Sequence, residues 1–381
     1  MFESCPFTIK NDYLMIYREA RIDPDGFLTR HLEEARMGFL RSQFLSPYEK
    51  ADVAIVIPSH NEEFGDNRGN MRACLFAISK LRISEDIKVK VIVICHNCEE
   101  KDETKDICRQ MSNKIEVVDY KTSLDGFSYP LQLGIAMLFP EEVDDVGIVD
   151  ADTVVNQNWL IECRKTLYSN TQIAAIACPR RYFNSDLELM MYGEFKVFME
   201  YIVYLIQSRV VSSRWVSRLS VLVSGNSYYK LSLVQRYVLE NLGCPIGDPD
   251  FQDGLHKAGL KVVNVPRAVG VSDGTKHEKL QNVLAFIDRL RFLIYHRIKR
   301  NIVSIDDKRT VMTNIFDYFP SFFDYLRELR IQIDLESTSG INTIWNIWEN
   351  DFKLKHLQQM KVDVDRIKKG RPYYSGLEAV L

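Results

Sequence analysis

Several things are scarce in this 381-residue chain, and each scarcity removes a class of function. No stretch reaches the ~18 uninterrupted apolar residues of a membrane-spanning helix. The nearest approach, Leu187 to Val223, is interrupted by Glu194, Lys196, Glu200, Arg209, Arg214 and Arg218. The opening residues MFESCPFTIKNDYLMIYREA lack the basic start and apolar core of a secretory signal. The expected location is therefore cytoplasmic, with peripheral contact at the inner face of a membrane left open. Net positive charge is also missing. Lys and Arg number 49 against 52 Asp and Glu, a formal charge of -3, so no global field would hold nucleic acid. The eight cysteines are scattered, only Cys95 and Cys98 form a CxxC pair, and no second pair follows at zinc spacing. That pattern suits a reducing compartment. Internal repeats and low-complexity tracts are absent as well.

What is present is an alternation of periods. Residues 1–50 read as a helical extension, with Asp23 or Asp25 as caps before FLTRHLEEARMGFL. ADVAIVIPSHNEE then reads as a buried strand opening onto a polar loop. MRACLFAISKLRI has a helical period, IKVKVIVICHN is a second strand, DETKDICRQMSN a helix and KIEVVDY a third strand. YPLQLGIAMLF is helical, and DVGIVDAD is a fourth strand. Strand, helix, strand, helix at this spacing predicts a mostly parallel sheet with helices on both faces. Ligands of such sheets bind at the carboxyl ends of the strands, so PSHNEE, HNCEE and DAD are expected to meet on one edge. Farther on, NWLIECRKTLYS reads as a helix, QIAAIACPRRYF as one strand, and LVSGNSYYKLS as a strand and turn. GDPDFQDGLHKAGLKVVNVPRAVGVSDG reads as loop, helix, turn and strand, and the chain from about 281 to 381 is again helical.

The chemistry concentrates at Asp150-Ala151-Asp152. Two carboxylates one residue apart at a strand end repel each other and favour a cation between them. Mg²⁺ or Mn²⁺, which takes oxygen ligands and completes its shell with substrate phosphates, suits that donor set. The plainer alternative is a strand-end turn whose aspartate caps the next helix. A third reading is a phosphatase of the haloacid-dehalogenase type. There Asp150 of Asp150-Ala151-Asp152-Thr153-Val154 would be the nucleophile, Asp152 the acid and base, and Ser224, Asp248 and Asp253 the later motifs. That family begins its core with the DxD strand, whereas three strand–helix units precede it here.

Six segments in order resemble the family 2 glycosyltransferases, which have the GT-A fold. VAIVIPSHNEE is similar to their opening strand, and VIVICHNCEEKDET to their second strand and nucleotide loop. FSYPLQLGIAML is similar to the helix before their DxD, VGIVDADTVVNQNWL to the DxD segment, and SGNSYYKLSL to the strand before the acceptor loop. GDPDFQDGLHKAGLKVVNVPRA aligns without a gap on their E-D segment. The resemblance implies a Rossmann-like, mixed, mostly parallel sheet flanked by helices, with helical N- and C-terminal extensions. It divides the chain into residues 1–50, a catalytic domain 51–280 with a nucleotide half 51–155 and an acceptor half 156–280, and a helical region 281–381.

It also implies roles. Pro58, His60, Asn61, Glu62 and Asn97 would bind the nucleotide, and Asp150, Ala151, Asp152, Gly225 and Asn226 would complete the nucleotide-sugar site. Asp152, with Asp150, would hold a divalent Mn²⁺ or Mg²⁺, with His277 as a third ligand. Asp248 would be the base that accepts the acceptor's proton in a single inverting displacement, and Asp250 the fallback. Arg289, Arg291, Arg297 and Arg300 stand near in sequence as cations for a diphosphate. Partners would be a nucleotide-sugar donor and a glycan, lipid-linked or small-molecule acceptor. The apolar region 187–223 reads as core or as a homodimer face, with a docking surface for a lipid-linked acceptor as the sharper alternative. Three positions depart from the family pattern: Phe127 stands for a lysine, Gly247 for a glutamate and Asn97 for an aspartate. A nucleotidyltransferase of related fold is the other neighbour, but PSHNEEFGDNRGN is a poor version of its glycine-rich, lysine-bearing loop. A degenerate GT-A domain that only binds is the non-enzymatic alternative, against which the DAD and Asp248 both argue.

Overall fold

The computed structural model describes residues 11–47, 49–121, 129–178, 180–183, 226–240, 255, 258–265, 267–273 and 320–369, with isolated positions between 305 and 316. Two helices open it, α1 (Asn11–Ile22) and α2 (Pro24–Leu40). Asp23 separates them as the α2 N-cap. Its side chain accepts from Gly26 N at 3.0 Å, which satisfies one of the helix's orphan donors. Then come β1 (Ala51–Ser59), α3 (Asn70–Ser79), β2 (Val89–His96), α4 (Thr104–Met111), β3 (Ile115–Tyr120), α5 (Tyr129–Ala136) and β4 (Val143–Val149).

The main sheet has seven strands in the order β3-β2-β1-β4-β8-β6-β9. Here β6 is Ile173–Ala177, β8 is Asn226–Lys230 and β9 is Lys261–Asn264. All neighbours run parallel except β8, which is antiparallel to both β4 and β6. The parallel strands expected from the alternating periods are thus present, in the mixed, mostly parallel sheet that the resemblance implies. Alternate residues of β1 bury into opposite faces, as a period of two requires. Val53, Ile55 and Ile57 join a core with residues of α1–α4 and of α6 (Trp159–Leu167). Ala54 and Val56 join a second core with Leu133 and Met137 around α5 and with Val234 of α7 (Leu231–Glu240).

Two expectations need correction. QIAAIACPRRYF is not one strand. It divides into β6 and β7 (Arg180–Phe183), which belong to different sheets. The second sheet has the order β5-β10-β7, with β5 (Thr153–Val155) antiparallel and β7 parallel to β10 (Gly270–Asp273). NSYYKLS is also not a strand and a turn, because β8 runs straight into α7. Leu231 and Val234 are both buried, one helical turn apart, and this period prolongs the segment as a helix.

In the C-terminal region, α8 (Pro320–Glu328) and α9 (Thr338–Ile347) gather a small core of Phe322, Leu326, Ile344, Trp348 and Phe352. The last described helix, α10 (Lys353–Lys369), puts Met360 and Val364 into the same core as α5. Among the described residues no helix is long and apolar enough to cross a membrane.

Candidate active site

Strand order fixes the place. From β1 the chain steps outward through β2 and β3, then returns to the other side of β1 for β4. The β1–β4 boundary is therefore a topological switch point, where ligands of open parallel sheets bind. Pro58 helps to open it. Pairing of β1 with β4 ends at Val56 and Ile148, whereas pairing with β2 continues through Pro58 and Ser59. Pro58, half-buried, has no N–H to give to β4.

The loop after β1 is held against the loop after β2. His60 Nδ1 lies 2.9 Å from His96 O, which can only accept, so Nδ1 carries the proton. His60 Nε2 is then the acceptor that meets Asn61 Nδ2 at 3.4 Å. Asn61 Oδ1 accepts from Glu99 N at 2.7 Å. Asn61 and Asn97 both have left-handed backbones, φ 58° and 49°, which short polar side chains tolerate. Asn97 N donates to Tyr120 O at 2.9 Å, tying this loop to the end of β3.

On the other bank, β4 ends at Val149 and the chain turns at once. Thr153 N donates to Asp150 O at 2.9 Å, closing a turn across Asp150-Ala151-Asp152. Ala151 is buried at its centre and the two aspartates flank it half-exposed. In the turn neither carboxylate is constrained to a strand face. Both act electrostatically on the Cys74 thiol beneath them, raising its pKa alongside burial, the larger cause; Cys74 Sγ also lies 3.7 Å from Asp150 O. Behind the turn, Thr153 Oγ1 lies 3.3 Å from Asp152 Oδ1 and 2.6 Å from Ser272 Oγ of β10. Two half-exposed carboxylates with oxygen-only chemistry fit a hard divalent cation that keeps other positions for phosphate oxygens. Among the described residues no group of three His, Cys, Asp or Glu gathers as a ready metal site.

Asn226, expected to complete the nucleotide-sugar site, is the first residue of β8. It is fully buried, and its Oδ1 accepts from Trp159 Nε1 at 2.7 Å. Trp159 packs over Gly147 of β4, where an added Cβ would lie 2.5 Å from the indole ring. Asn226 thus supports β4 from behind. Gly225, Asp248, Asp250, His277, the region 187–223 and the four arginines between 289 and 300 lie outside the described residues.

Residues not singled out in the sequence hold the first loop. Glu63 is buried beside Arg72, with Glu63 Oε2 3.1 Å from Arg72 Nε. Its carboxylate accepts from Gly69 N at 3.1 Å and Arg72 N at 3.0 Å, capping α3. Its own N–H donates to Asp102 Oδ1 at 2.9 Å. The one signal in sequence was an arginine inside the apolar run MRACLF. Arg72 also reaches Asp25 and Glu103, each at 2.9 Å.

Burial raises the Glu63 pKa from 4.5 to about 7, against the pull of Arg72. The folded chain therefore keeps a proton there that the unfolded chain releases. Stability from this group is complete below pH 4.5 and is lost as pH rises through about 7. Urea unfolding of the wild type and Glu63→Gln at pH 5 and pH 8 should show the wild type losing more stability with rising pH, by about 1–3 kcal/mol. Asp145, raised by burial to about 6, contributes a slope of the same sign to both proteins and cancels in the comparison.

Residues 54–236 match the family described as Glycosyl transferase family 2, a span from β1 into α7 that includes Pro58 to Asn226 and ends before Asp248 and His277. No curated protein matches the chain in sequence. Several solved structures share its general shape. A mannosyltransferase from Pyrobaculum calidifontis, in complex with GDP-Man and Mn²⁺, is 12% identical over 95% of this chain and 99% of its own, with a TM-score of 0.46. S. aureus TarS 1-349, in complex with UDP-GlcNAc, is 12% identical over 84% and 91%, with a TM-score of 0.44. Glucosyl-3-phosphoglycerate synthase from Mycobacterium tuberculosis, in complex with phosphoglyceric acid, is 14% identical over 70% and 83%, with a TM-score of 0.43. Scores below 0.5 describe a loose likeness of shape and no more. Between the phosphatase and the transferase readings of the DAD, the family match decides: residues 54–236 are a family 2 glycosyltransferase domain.

Proposed function

We propose that this glycosyltransferase is metal-dependent and moves a sugar from a nucleotide-sugar donor to an acceptor hydroxyl with inversion. The observation that carries the reading is the meeting, at the β1–β4 switch point, of the His60–Glu62 loop with the Asp150–Asp152 turn. Residues 51–155 supply the donor half in this reading and residues 156–280 the acceptor half.

Pro58, His60, Asn61, Glu62 and Asn97 bind the nucleoside. His60 and Asn61 fix the spacing of the two loops by the bonds already described, and the half-buried Glu62 carboxylate accepts from a ribose hydroxyl or a base N–H. Asp152 and Asp150 hold the Mn²⁺ or Mg²⁺, with His277 as the third ligand. Bound there, the ion supplies positive charge against the diphosphate as it leaves. Asp248 removes the proton of the acceptor hydroxyl while that oxygen attacks the anomeric carbon from the face opposite the diphosphate, with Asp250 as the alternative base. Asn226 acts at one remove, holding Trp159 against β4.

The test is a thermal-shift panel of nucleoside diphosphates with and without Mn²⁺. One nucleotide should raise the melting temperature, and only with the metal present. A ligand at ~100 times its Kd stabilises by about 2.7 kcal/mol, a shift of several degrees. Equal shifts with and without metal would remove metal dependence from the reading. No shift with any nucleotide would remove the donor site.

A further inference from the structure

The helical pair that precedes the family 2 domain is not a detached appendage. Tyr13 and Tyr17 lie one turn apart on one face of α1. Tyr17 is fully buried, and its Oη donates to Asn70 Oδ1 at 2.8 Å. Asn70, also fully buried, donates through Nδ2 to Glu62 Oε2 at 2.7 Å. Four residues earlier, Tyr13 Oη accepts from Gln157 N at 2.9 Å, in the segment between β5 and α6 just beyond the Asp150–Asp152 turn. The same helix therefore bonds to chain on both banks of the β1–β4 crevice. Its approach is close. Gly69 has φ 99°, and an added Cβ there would lie 2.1 Å from Ala20 O. Arg21 Nη1 donates to Arg68 O at 3.3 Å.

We propose that α1 is a positioning element of the donor site. Tyr17 is the positioning residue that orients the Glu62 carboxylate through Asn70. A carboxylate held by a buried amide, itself held by a buried phenol, meets the nucleotide already oriented and loses little rotamer freedom on binding. Tyr17 and Ala20 of α1 share a core with Met71 and Cys74 of α3, so the helix also covers α3; cover alone does not require a chain of two hydrogen bonds ending on a half-exposed glutamate. The inference rests on the reading above, in which Glu62 contacts the nucleotide.

Calorimetric titration of the full chain with UDP, GDP, CDP and ADP, each with Mn²⁺, identifies the diphosphate that the wild type binds. Tyr17→Phe removes one hydroxyl and should raise the Kd of that diphosphate about three- to tenfold. Phe27→Leu loosens α2 by packing alone and leaves both tyrosines intact. It should lower the melting temperature while changing the Kd by less than about twofold, which separates positioning from general loosening. Glu62→Ala should weaken binding at least as much as Tyr17→Phe, and the double variant should be no weaker than Glu62→Ala alone, the signature of one shared path. In slow hydrolysis of the matching nucleotide sugar, Tyr17→Phe should raise KM with kcat kept within about twofold. Wild-type affinity in Tyr17→Phe, or additive effects in the double variant, overturns the inference and leaves the proposed function standing. Wild-type affinity in Glu62→Ala, or no diphosphate bound by the wild type, overturns the reading on which both rest.

Discussion

Asp152→Asn is expected to lower sugar transfer by about 10²–10³-fold, the loss seen when one preorganised group opposite a developing charge is removed. Asparagine keeps the shape of aspartate and can still accept from Thr153 Oγ1, which lies 3.3 Å from Asp152 Oδ1. The turn closed by Thr153 N on Asp150 O uses backbone atoms alone and should survive. The variant should therefore melt within about 1–2 °C of the wild type, since a half-exposed substitution away from the core costs little. What it loses is a negative charge. In the proposed site one carboxylate is then left for the cation, so the Mn²⁺ concentration for half-maximal activity should rise along with the fall in rate. Asp150→Asn should show a smaller fall. Full transfer by Asp152→Asn at the wild-type Mn²⁺ requirement would remove this residue from the metal site.

The sequence showed this turn as three letters and left its shape open. Its neighbours explain why. Thr153 is held by Ser272, a partner 119 residues away, through a second sheet that no periodic pattern announced. The strands that build the switch point were legible because β1, β2 and β4 are buried on both faces and read as Val/Ile runs with polar ends. Asp23 was legible because a cap is a local interaction. QIAAIACPRRYF was misread because apolar content continues up to Cys178, and only pairing partners reveal that the two halves enter different sheets.

The same division runs through the site. The switch-point residues Pro58, Asp150 and Asp152 stand at strand ends, where order along the chain predicts neighbourhood. The supporting residues do not. Tyr17 meets Asn70 and Asp25 meets Arg72 across separations of 53 and 47 residues, between two segments that each read as an ordinary amphipathic helix. Asn226 shows the converse limit. A motif match gives it a donor-site role, and burial with the Trp159 indole as partner gives it a supporting one. A polar residue in a motif is equally explained by a ligand or by a buried partner, and the sequence alone shows neither.

Asp248→Asn is the second large effect expected, a fall in transfer of about 10²–10⁴-fold, the contribution typical of a positioned general base. An acceptor hydroxyl is a poor nucleophile at neutral pH until a carboxylate takes its proton as the new bond forms. The argument for Asp248 over Asp250 comes from the ungapped alignment of GDPDFQDGLHKAG on the family's E-D segment, whose aspartate falls on Asp248. A base touches the acceptor and not the nucleotide, so Asp248→Asn should leave the Kd of the nucleoside diphosphate within about twofold of wild type while kcat falls. That split distinguishes it from Asp152→Asn, which should weaken metal-dependent nucleotide binding as well. The rate should also lose its dependence on a deprotonated carboxylate, so that the acidic limb of the wild-type pH profile flattens in the variant. Asp250→Asn should retain most of the activity, and the reverse ranking of the two variants would transfer the role to Asp250. Stereochemistry supplies the independent check. A single displacement with a base inverts the anomeric centre, so the glycoside formed should carry the anomeric configuration opposite to the donor's, read by proton NMR of the product. A product with the donor's configuration would exclude the single displacement, and with it a base at either aspartate acting in that way.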